Sequence, residues 1–87
     1  MIRIQVNLNK PAGDQPKTIY PTNFFVDLEN GNLELRDLTK EDAERFCYRL
    51  KDKDKENTKI REKSSYGQGM DIIVPLDAVK SILTFKN

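Results

Sequence analysis

The sequence predicts a small α+β domain in which an antiparallel sheet of about four to five strands packs on one amphipathic helix. Three observations carry this expectation: strict apolar/polar alternation over residues 2–8, two apolar runs flanking an Asn-Gly pair within 24–38, and apolar side chains at helical spacing over 40–51. Leu, Ile, Val and Phe supply 23 of the 87 residues, which is enough apolar content for folding and a length that suits one domain over 1–87. A small barrel-like sheet with the helix inserted is the alternative arrangement of the same elements.

The first strand places Ile2, Ile4, Val6 and Leu8 on one face and Arg3, Gln5 and Asn7 on the other. Residues 9–17, NKPAGDQPK, hold two prolines and a glycine and read as an exposed loop. Pro21 follows Thr18-Ile19-Tyr20 and confines that piece to an edge or a bend. The hairpin is the clearest local signal. Phe24-Phe25-Val26-Asp27-Leu28 and Leu33-Glu34-Leu35-Arg36-Asp37-Leu38 flank Glu29-Asn30-Gly31-Asn32, and a two-residue Asn-Gly loop sets Leu28 opposite Leu33 and Val26 opposite Leu35. That register puts Phe25 beside Arg36 and Asp27 against Glu34, a carboxylate pair suited to a face turned toward water or a basic partner.

Thr39 is positioned to cap a helix, with Asp42 three residues on and Glu41 adding negative charge to the first turn. Ala43, Phe46, Cys47 and Leu50 form its apolar stripe, so the helix should run from about Lys40 to Lys51. Glu41 and Arg45 stand four apart on the opposite face, together with Glu44, Tyr48 and Arg49. Residues 52–69 read mostly as a charged, flexible loop, with a strand around Thr58 to Lys63 as an option because long structureless connections are uncommon. Residues 70–76 form a buried strand stopped by Pro75. The remainder divides between a helix and a turn followed by a last strand, and the β-rich composition favours the second.

Composition excludes several chemistries. Lys and Arg number 15 against 14 acids, so neither a histone-like arm nor an acidic tail dominates. His is absent and Cys occurs once, which excludes His-based triads, the common zinc sites and an intrachain disulfide. No metal and no cofactor is expected. Asp52, Asp54 and Glu56 alternate like the start of a calcium loop, but Asn57 stands where that loop needs Gly and Lys63 where it needs Glu. Gly67-Gln68-Gly69 precedes a strand rather than a helix, so a plain turn is preferred to a phosphate cradle. Cys47 lies on the apolar stripe with no His to activate it, and no spacing singles out Asp71 or another acid for proton transfer.

Binding is therefore expected rather than catalysis. The preferred reading is a non-enzymatic interaction protein, of the kind that phages, mobile elements and accessory genes encode, which contacts another protein through Phe25, Arg36, Asp27 and Glu34. Adjacent Phe24 and Phe25 in one strand must point to opposite faces, which leaves one ring available as an anchor. The alternative is nucleic-acid binding by the segment 49–63. Its cations Arg49, Lys51, Lys53, Lys55, Lys59, Arg61 and Lys63 outnumber four acids, and Tyr48 and Tyr66 bracket it as base-stacking candidates. No apolar run is long enough to span a membrane, and the alternating N-terminus does not resemble a signal peptide, so a cytoplasmic location is expected. So short a chain buries a modest share of its surface, and a homodimer is one way to add stability.

Overall fold

The computed structural model describes residues 2–9 and 18–85. The elements run β1 (Arg3–Leu8), β2 (Asn23–Asp27), β3 (Asn32–Leu38), α1 (Lys40–Tyr48), α2 (Asp52–Glu56), β4 (Lys59–Arg61), β5 (Met70–Pro75), a short 3-10 turn (Leu76–Ala78) and β6 (Val79–Phe85). This is the expected α+β class. All pairing is antiparallel, in a two-stranded sheet β1-β6 and a four-stranded sheet of order β2-β3-β5-β4. Residues 18–22 join them: Ile19 bridges Ile4, Pro21 accepts a backbone bond from Ile2, and Thr22 donates to Arg36. The sheets remain separate, so the barrel alternative is not what forms. The loop expected over 9–17 lies, apart from Asn9, outside the described residues.

One core serves both sheets and α1. Ile4, Val6 and Leu8 enter it from β1, Leu33, Leu35 and Leu38 from β3, Ile72 and Val74 from β5, and Ala43, Phe46 and Leu50 from α1 and the turn after it. Strand alternation leaves Glu34 and Arg36 on the opposite face of β3. That outer face is where the candidate residues gather.

The hairpin register differs from the Asn-Gly expectation. Asp27 faces Asn32, Val26 faces Leu33 and Phe25 faces Glu34, so the loop runs from Leu28 to Gly31. Asp27 is the cause. Its carboxylate accepts from the Asn30 backbone N–H at 3.1 Å and the Asn30 side chain at 2.8 Å, closing the turn around itself, while Gly31 supplies the left-handed residue at φ 69°. The hydrogen bond from the Asn30 side chain, followed by that from its backbone, holds the Asp27 carboxyl below the usual carboxylate range. The expected Asp27–Glu34 apposition does not occur. Because the displacement is two residues, each side chain keeps its expected face.

Thr39 Oγ1 accepts from the Asp42 N–H at 3.1 Å, the predicted cap. Asp42 is buried, accepts from the Tyr20 N–H at 3.2 Å and pairs with Arg45, which replaces the Glu41–Arg45 pair anticipated from spacing. α1 ends at Tyr48 rather than Lys51, with the Arg49 and Leu50 N–H groups closing the final turn on Phe46 and Cys47. The stretch 52–69 holds more structure than a loop: α2 takes its first part, and β4 occupies the centre of the Thr58–Lys63 option. Past Pro75 the chain makes the 3-10 turn and returns as β6.

Candidate functional site on the outer sheet face

The site begins with strand parity. Phe24 turns inward and packs on the core, whereas Phe25 turns outward and is 46% exposed. Arg36 lies diagonally across β3, its guanidinium carbon 5.2 Å from the Phe25 ring centroid. The same guanidinium lies 4.4 Å from the Tyr66 ring centroid. Arg36 is thus held between two aromatic rings, both partly open to solvent.

Arg36 is also held from below. Its Nε donates to Glu34 Oε1 at 3.0 Å and its terminal nitrogen reaches Asn23 Oδ1 at 3.5 Å. Glu34 Oε1 accepts a second charged bond, from Arg61 at 3.1 Å, and the same Arg61 nitrogen donates to Asp71 Oδ2 at 3.3 Å. Asp71 is fully buried, and its other oxygen accepts from the Asp37 N–H at 3.0 Å. Hydrogen bonds to Glu34 first and Asp71 second raise the Arg61 pKa above its ordinary value. The row Arg36–Glu34–Arg61–Asp71 links β3 to β4 across the intervening β5, which supplies Asp71, and fixes the arginine that the aromatic rings flank.

Tyr66 reaches this face because its loop is clasped there. β3 breaks register between Leu35 and Leu38, and Asp37 within the break adopts φ 60°, a conformation Asp tolerates better than most residues. Its carboxylate accepts from the Gly69 N–H at 2.7 Å and from the Thr22 hydroxyl. The Thr22 bond first, then Gly69, holds the Asp37 carboxyl below the usual range. Ser64 and Gly69 close the loop by a backbone bond of 2.9 Å, and Ser64 Oγ accepts from the Tyr66 N–H at 3.0 Å. Gly67 and Gly69 therefore serve close packing: a Cβ at Gly67 would displace the Asp37 carboxylate, and one at Gly69 would also meet the Leu38 backbone. Beside this clasp lies a cleft of about 390 Å³ lined in part by Tyr20, Thr39, Lys40 and Gln68.

Of the four residues expected to contact a protein, the fold brings Phe25, Arg36 and Glu34 together, while Asp27 is spent on the turn. The nucleic-acid set does not assemble as one surface. Lys59, Arg61 and Tyr66 join the outer sheet face, Lys59 opposite Ile73 and so on the side of Glu34, whereas Tyr48, 75% exposed, lies on α1, whose packing face is in the core on the other side of the sheet. Lys53 and Lys55 alternate with Asp52, Asp54 and Glu56 on the exposed α2, Lys51 occupies its N-cap, and Lys63 is exposed past β4. The carboxylates Asp52, Asp54 and Glu56 thus sit on the short helix α2. Among the described residues no group of three or more His, Cys, Asp or Glu is arranged to hold a metal, and no helix is long and apolar enough to cross a membrane. Cys47 is half-buried, and burial pushes its thiol pKa up. The sequence signal that assigns Tyr66 to the sheet face is the pair of glycines after it, but Asp37, the partner of Gly69, lies 32 residues earlier and no local pattern links them.

No family model, curated protein or solved structure matches the chain.

Proposed function

We propose that this chain is a non-enzymatic interaction protein that binds a protein partner through the outer face of its four-stranded sheet, with Phe25, Arg36 and Tyr66 as the anchor. The observation that carries this reading is the arginine held between two partly exposed rings. Aromatic side chains and Arg dominate binding energy at interfaces because they offer large, stiff contact area at small entropic cost. Here the entropy of Arg36 is already spent, since Glu34 and Asn23 fix its head before any partner arrives. The flanking Arg61 is engaged by Glu34 and Asp71, so near the aromatic pair the face offers aromatic contact and oriented donors, with the exposed Lys59 adding a cation at its β4 margin.

Affinity capture from lysate of the source cells, with and without nuclease, tests the reading. The wild-type chain should retain a protein that survives nuclease treatment and is lost from the Arg36→Ala and Tyr66→Ala variants. Retention that vanishes with nuclease, weakens steeply with salt and follows Lys51, Lys53, Lys55 and Lys59 would transfer the function to nucleic acid.

A further inference from the structure

The four-stranded sheet ends at β2, and among the described residues no strand pairs with the outer edge of β2. That edge is apolar on both faces. Val26, on the core side, is 37% exposed although Leu33 opposite it is fully buried, and Phe25 on the other side is 46% exposed. Leu28, just past the strand, is 81% exposed. The strand Asn23-Phe24-Phe25-Val26-Asp27 contains no Lys, Arg or Pro and shows no register shift, and its one charge, Asp27, is turned onto Asn30, so it is weakly protected against pairing. The opposite edge, β4, has them: it is three residues long and carries Lys59 and Arg61.

We infer that the β2 edge pairs antiparallel with the β2 edge of a second copy of this chain, centred on Phe25. A two-fold dimer of this kind must place one residue opposite its own copy, and the strand's sequence suits one choice. With Phe25 at the centre, Phe24 of one copy meets Val26 of the other and Asn23 meets Asp27. Apolar residues then face apolar residues, and the two carboxylates stay apart. Centring on Val26 sets Asp27 against Phe25 and draws in Leu28, which belongs to the turn. Centring on Phe24 sets Asp27 against Pro21, whose carbonyl is already committed to Ile2. The Phe25 register also keeps the core side of each sheet continuous with the core side of the other, covering the exposed flank of Val26. Five paired residues fall well short of the roughly 800 Å² per partner of a durable interface, so the dimer is weak and concentration-dependent.

Sedimentation velocity on the full chain from roughly 10 µM to 1 mM reads this directly. The wild-type chain should move from monomer to dimer across that range. Val26→Lys should raise the dissociation constant at least about tenfold. Phe25 belongs to both surfaces, so the variants that distinguish them lie away from it: Arg36→Ala and Tyr66→Ala should leave dimerisation intact while weakening partner binding. For the unmodified chain, amide chemical shifts that depend on concentration should be confined to Asn23–Leu28, a measurement that needs no variant to fold. A chain that stays monomeric throughout, a dimer untouched by Val26→Lys, or shifts centred on β6 or α1 would overturn the inference.

Discussion

Gly69→Ala is the substitution for which the structure fixes the largest and most specific effect. A Cβ at Gly69 would lie 2.1 Å from the Leu38 carbonyl oxygen and 2.7 Å from Asp37 Oδ1, where ordinary contact begins near 3.4 Å. Leu38 is fully buried, so its backbone cannot yield, and the loop itself must retreat by more than an ångström. Overpacking of this kind costs about 1–3 kcal/mol. The retreat also breaks the 2.7 Å bond from Gly69 N–H to the Asp37 carboxylate, a charged hydrogen bond worth about 1.5–3 kcal/mol, part of which water restores. A total loss of about 3 kcal/mol corresponds to a fall in Tm of roughly 12–24 °C for a domain of this size. Gly31→Ala is the control. Nothing lies within 4 Å of its Cβ position, so it pays only for the left-handed backbone at φ 69°, about 1–2 kcal/mol. Thermal and urea denaturation followed by circular dichroism ranks the two. If Gly69→Ala unfolds no more readily than Gly31→Ala, Asp37 does not clasp the loop, and the placement of Tyr66 against Arg36 loses its support.

Acidification should act through the same clasp. The Thr22 hydroxyl and then the Gly69 N–H hold the folded Asp37 carboxyl below the usual carboxylate range, so its stabilising contribution is complete above the unfolded pKa and is lost as pH falls through the folded one; Asp37→Asn should flatten the acid limb of a stability–pH curve, and an unchanged limb would contradict this. Thr39→Ala removes the side-chain acceptor for the Asp42 N–H and should cost about 1 kcal/mol in urea titration, whereas a neutral effect would mean that the cap does not support α1. Cys47, half-buried with a raised thiol pKa, should react with iodoacetamide at pH 7.5 several-fold more slowly than an unstructured peptide thiol, and equal rates would place it at the surface.

The parts of the fold that were legible in the sequence are those governed by local periodicity and capping. The alternation of residues 2–8, the Thr39 cap, the Ala43–Phe46–Leu50 stripe and the turn-then-strand ending after Pro75 all rest on neighbours a few residues apart. The hairpin shows where local rules compete. Asn-Gly favours a two-residue loop, but Asp27 captured Asn30 and lengthened it, while parity preserved the outward direction of Phe25 and Arg36. What could not be read was long-range. Glu34 looked like one half of a repulsive pair, yet two arginines neutralise it, one of them from a β4 that carries a single aliphatic residue as its periodic signal. In the sequence Tyr48 and Tyr66 bracket the basic segment, whereas the break in β3 at Asp37 draws the Tyr66 loop over the sheet, away from Tyr48 on α1.

The most direct measurement is an alanine comparison of affinity for the captured partner, by calorimetry, across two surfaces. Phe25, Arg36 and Tyr66 represent the outer sheet face, and Tyr48, the most exposed aromatic residue described, represents α1. If the sheet face is the binding surface, at least two of the three sheet-face variants should weaken binding by about 2 kcal/mol or more, roughly thirtyfold, with Tyr48→Ala unchanged. Affinity that falls with Tyr48→Ala while Phe25→Ala, Arg36→Ala and Tyr66→Ala bind as the wild type would place the interaction elsewhere.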